Sequence, residues 1–96
     1  MVAVVVDERW EVAVTDGALP GGAPLVGEPA ERAIVRLLRE RHALEVEVVG
    51  PLGPDAFVCR ARGRGEGLAW WPGTRAMRDL RDEAERRLVR KALGPC

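Results

Sequence analysis

The chain opens with an unbroken apolar run. Val2-Ala3-Val4-Val5-Val6 is continuous and mostly β-branched, the pattern of a buried strand. A polar turn, Asp7-Glu8-Arg9, separates it from Trp10-Glu11-Val12-Ala13-Val14, whose first residues alternate and predict the return strand of a hairpin. Gly17, Pro20, Gly21, Gly22, Pro24, Gly27 and Pro29 punctuate residues 15–29 and exclude a helix or a long strand there. A loop of that length in a small domain is more often functional than idle. Pro29 suits a first helical turn, where its missing N–H has no partner to lose. Ala30, Ala33, Ile34, Leu37 and Leu38 then share one face and predict a helix over residues 30–42. Residues 45–49 read as a strand that Gly50-Pro51-Leu52-Gly53-Pro54 breaks, and residues 56–60 as another. A glycine-rich turn over 62–67 leads to a short strand, 68–71, stopped by Pro72. Thr74 is the expected cap of a final helical region with Met77, Leu80, Ala84 and Leu88 at helical spacing and a break near Leu80. The order β-β-loop-α-β-β-β-α predicts one α+β domain over residues 1–96.

Composition narrows the function classes. The 96 residues are 47% hydrophobic and 31% charged, too apolar for a disordered chain and near the lower size at which a core holds unaided. No apolar run approaches the roughly 20 residues of a membrane span. The start lacks the basic residues of a signal peptide. Cys59 and Cys96 are too few for a disulfide framework, so the expected compartment is the cytoplasm, with no membrane partner. The net charge is zero, yet residues 1–59 carry five bases against ten acids and residues 60–96 the reverse. An ordinary arginine-rich surface accounts for this, and a nucleic-acid partner is not expected.

The chemistry concentrates in one constellation. Leu19-Pro20-Gly21-Gly22, then Glu28, then residues 30–44 resemble the signature of the Nudix (MutT-like) superfamily. That pattern runs Gly, five residues, Glu, seven residues, Arg-Glu, an aliphatic, any residue, Glu-Glu, any residue, Gly, an aliphatic. Gly22, Glu28, Arg36, Leu38, Glu40 and Leu44 fit their places. Leu37, Arg41 and Ala43 do not: the family has Glu, Glu and Gly there. Independently of any family, a glycine-rich loop lets backbone approach a ligand, and the helix after it aims residues 37, 40, 41 and 44 along one side. Carboxylates on that side would hold Mg²⁺ against a diphosphate and activate water. Here the side reads Leu37, Glu40, Arg41. A unit positive charge about 4 Å from a cation is repelled by roughly 4 kcal/mol per unit charge product at an effective dielectric near 20.

The resemblance implies a minimal Nudix-like α/β/α sandwich with a small mixed sheet. It also implies damaged chemistry: a protein with impaired or absent hydrolase activity that binds a nucleoside-diphosphate-type ligand or acts in regulation. Gly21, Gly22, Arg36 and Arg41 are its candidate phosphate contacts. Glu40 is the one candidate catalytic carboxylate. The first alternative is an active hydrolase of nucleoside diphosphate derivatives in which Glu28, Glu40 and Glu66 hold one Mg²⁺. Glu66 enters because the family often places a further metal-binding acid ahead of a strand like Ala69-Trp70-Trp71-Pro72. The second alternative is a non-catalytic interaction protein using Trp10 or the Trp70/Trp71 pair. Trp70 and Trp71 should face opposite sides of their strand, one toward the core. His42 reads as a helix-end surface residue, Cys59 as buried and inert, and Arg60, Arg62 and Arg64 as one solvated edge that could touch phosphate. A homodimer is expected, because three tryptophans exceed what so small a core needs and a bare Val2–Val6 edge would invite pairing.

Overall fold

The computed structural model describes residues 1–93; Gly94, Pro95 and Cys96 lie outside the described residues. Its elements are β1 (Val2–Val6), β2 (Glu11–Val14), α1 (Ala30–His42), β3 (Glu45–Gly53), β4 (Ala56–Arg62), β5 (Ala69–Pro72), α2 (Gly73–Asp79) and α3 (Glu83–Leu93). The strands form one mixed sheet in the order β3-β4-β1-β2-β5. β1 runs parallel to β4, and the other pairings are antiparallel.

The sheet separates two apolar layers, and strand alternation assigns residues to each. Ala3, Val5, Ala13, Phe57 and Cys59 face α1, where Ile34 and Leu38 meet them. Val4, Val6, Val12, Val14 and Ala56 face the opposite layer, with Ala76 and Leu80 of the α2 region and Val89 of α3. This explains the unbroken apolar run of β1: helices cover both of its faces. The architecture is the expected α+β sandwich with a small mixed sheet.

Four expectations are corrected. β1 lies in the interior of the sheet, so the bare edge that argued for assembly does not exist. Trp10 stands outside β2, in the turn, with φ of 61°. Asp7 organises that turn, its Oδ1 accepting the Arg9 and Glu11 N–H groups at 2.9 Å each. The Gly-Pro segment at 50–54 does not end the third strand. β3 continues to Gly53 through irregularities at Val48/Gly50 and Pro51/Gly53. Proline is tolerated because β3 is an edge strand with no further ladder to feed. Thr74 does not cap α2: the chain passes from β5 straight into the helix at Pro72, with no side-chain cap. The break after α2 falls at Leu80, which is extended (ψ 143°) and buried, and Asp82 Oδ1 accepts the Ala84 N–H at the start of α3.

Candidate functional site

The residues 15–29 loop reaches its position by docking on the start of β1. Gly22 N–H donates to the Met1 carbonyl, the Met1 amino group donates to the Gly22 carbonyl, and Ala3 N–H donates to Pro20 O. Gly21 is required there, since an added Cβ would run into the Met1 carbonyl oxygen. At Gly22 a Cβ would lie 3.0 Å from Leu37 Cδ1 and 3.2 Å from Arg41 Nη1. The glycine pair therefore seats the loop directly on α1, over Leu37 and Arg41.

The charged groups at this junction satisfy one another. Arg36 makes a two-pronged ion pair with Glu28, Nε to Oε2 at 2.8 Å and Nη2 to Oε1 at 3.0 Å. Glu28 Oε1 also accepts the Leu25 N–H, closing the last turn of the loop. The Arg36 hydrogen bonds, followed by the Leu25 bond, hold the Glu28 carboxyl below its ordinary pKa. Glu40 approaches the same guanidinium at 3.4 Å and is mostly exposed. Arg41 Nη1 donates to the Gly21 carbonyl at 2.7 Å. Leu37 is 5% exposed beneath the loop.

Of the sequence candidates, the fold brings Glu28, Arg36 and Glu40 together on one guanidinium, and Gly21, Gly22 and Arg41 together beside them. It does not add Glu66 to that group. Glu66 is exposed, and its backbone is bound to the end of α1: its N–H donates to His42 O, and its carbonyl contacts His42 Nδ1 at 2.9 Å. Among the described residues, no three His, Cys, Asp or Glu side chains group as metal ligands. Two carboxylates already neutralise Arg36, and the helix side that would carry further ligands presents an apolar and a cationic side chain.

The three tryptophans separate. Trp70 packs toward the α1 layer and Trp71 toward the α2/α3 layer, as strand alternation requires. Each carries its own cation, Arg64 5.0 Å from the Trp70 ring centre and Arg75 4.1 Å from that of Trp71. Arg64 also bridges Asp7 and Glu11, and Arg62 pairs with Glu47, so the expected arginine edge is largely neutralised internally. Cys59 is buried, and burial pushes its thiol up to about 12. Trp10 alone is 67% exposed. It borders a concave groove of about 880 Å³ with Val6, Val49, Val58, Arg60 and Leu93. Sequence reasoning missed this groove, because its lining comes from four separate segments; an apolar residue in a charged turn was its one local sign.

No protein-family model matches the chain, and no curated protein does. A solved structure does: the crystal structure of a MutT protein from Bacillus halodurans, at 18% identity and a TM-score of 0.71, over 98% of this chain and 80% of that one. At that identity the likeness establishes a MutT-like fold.

Proposed function

We propose that this protein is a non-hydrolysing member of the MutT-like fold that binds a nucleoside-diphosphate-type anion without a metal ion. Arg41 carries the reading. Its guanidinium is held over the glycine loop by the 2.7 Å bond to Gly21 O, on the helix side where the resembling family uses carboxylates and cations. A guanidinium fixed by one donor keeps others free for phosphate oxygens and supplies charge with no cation to recruit. The remaining groups of the junction support the same reading. Arg36 is occupied by Glu28 and Glu40, and the Gly22 N–H by Met1. Leu37 offers neither a ligand nor a base.

Two assays test this together. Titration with ADP, ADP-ribose and dinucleoside polyphosphates in EDTA should give binding that Arg41→Ala weakens. The same compounds and nucleoside triphosphates, incubated with Mg²⁺ at neutral and alkaline pH, should turn over at background rates. Turnover of about one per second or more, within the ordinary enzyme range, would replace this reading with an active hydrolase. Metal-free binding that ignores Arg41→Ala would remove Arg41 from the site.

A further inference from the structure

We infer that the groove beside Trp10 is the contact surface of a two-fold symmetric homodimer, in which Trp10 of each copy enters the groove of the other. The groove and its tryptophan lie at the Val6 end of β1, whereas the glycine loop docks at its Met1 end. The inference is therefore independent of the proposed anion site.

The tryptophan is held in place at a conformational disadvantage. Trp10 adopts φ of 61°, a left-handed conformation that glycine enters freely and an aromatic residue does not. The turn is over-determined enough to hold it. Trp10 N–H donates to Asp7 O at 3.2 Å, Trp10 O accepts from Gly73 at 3.2 Å, and Asp7 N–H donates to Glu11 O at 3.1 Å. None of these bonds needs an indole, so the fold alone would be served better by glycine. Trp70 and Trp71 are half-buried within their own layers. Trp10 is the remaining aromatic knob, and it projects beside an apolar hollow floored by Val6 and Val58 and rimmed by Val49 and Leu93.

Charge selects a second copy as the occupant. Of the charged residues lining the groove, Asp7 is committed to Arg64 and to two backbone N–H groups, and Arg62 to Glu47. Glu8 and Arg60 have no ion-pair partner among the described residues. The surface thus offers one knob, one hollow, one free anion and one free cation. That set is self-complementary, as a two-fold interface demands, with Glu8 of each copy reaching Arg60 of the other. A purely anionic or cationic ligand would leave one of the two charges unmatched.

Light scattering and sedimentation equilibrium at micromolar concentration test the proposal. The wild type should be a dimer. Trp10→Gly relieves the backbone and should keep or raise the melting temperature while raising the dimer dissociation constant about thirtyfold, the scale of a lost aromatic anchor. Glu8→Arg alone and Arg60→Glu alone should each be monomeric, since each places like charges across the two-fold axis. An equimolar mixture of these two variants should dimerise again, because a heterodimer restores both pairs. A wild type near 10.5 kDa throughout the range, a dimer indifferent to Trp10→Gly, or a mixture that stays monomeric would each overturn the interface.

Discussion

At the residue scale, the structure changes what Leu37 means. A leucine where the resembled pattern has a carboxylate reads in sequence as the loss of a ligand; in the fold it is also a packing choice, since the side chain is 5% exposed under Gly22. Leu37→Ala should destabilise the protein by about 2–4 kcal/mol through the cavity it leaves. Leu37→Glu should do at least comparable harm by placing a carboxylate in the same dry contact. Urea denaturation of both variants checks this, and a neutral Leu37→Glu would show that the loop lifts readily from α1. Glu28 makes a pH-dependent prediction. Its pKa is lowered in the folded state, chiefly by Arg36. The stabilisation is therefore fully present above the unfolded carboxylate value of about 4.3 and is lost as pH falls through the lower folded value. Glu28→Gln should melt below the wild type at pH 7, and the gap should narrow at strongly acidic pH. Thermal melts at both pH values, with a gap independent of pH as the adverse result, decide it.

At the scale of elements, α1 was legible to the residue because its signals are local: Pro29 ahead of it and an apolar stripe along it. The junction residues Gly22, Glu28 and Arg36 were legible for the same reason, as fixed spacings along one loop and helix. What those residues do to one another was less so. The two-pronged Glu28–Arg36 pair depends on how the loop closes, and the Arg41 bond to Gly21 depends on the loop docking on Met1. β3 shows the opposite failure, since Gly50 and Pro51 are local breakers that an edge position absorbs as irregularities. The end of α1 yields a further prediction. Ala43 closes the helix at φ of 50°, its N–H donating to the Arg39 carbonyl at 3.0 Å while the Leu44 N–H donates to the Leu38 carbonyl at 3.2 Å. The sequence pattern that the helix resembles has glycine at this place, and the geometry supplies a reason. Ala43→Gly should stabilise the protein by about 1 kcal/mol, the scale of a left-handed conformation relieved. A higher denaturation midpoint at unchanged slope is the expected result; a lower midpoint would mean that unfolded-state entropy outweighs the strain.

Across the whole molecule, the uneven charge of the two halves is largely resolved by topology. Arg62 and Arg64 of the basic half reach Glu47, Asp7 and Glu11 of the acidic half across the sheet. The sheet edges, β3 and β5, are blunted by Glu45, Glu47 and Pro51 on one and by Pro72 on the other, which disfavours strand pairing between copies. Strand order, which places β1 inside and the groove at one end, joins segments far apart in sequence, and no local pattern carries it. The loop and α1 are closed upon their own neighbours, Arg36 on Glu28 and Glu40 and Arg41 on the Gly21 carbonyl, and the proposed reading is that this closure leaves no divalent-cation site at the junction. Calorimetric titration with Mn²⁺ at neutral pH tests that claim most directly. The expected result is no site tighter than the millimolar range in the wild type and no change in Glu40→Gln; a micromolar site abolished by Glu40→Gln would contradict it.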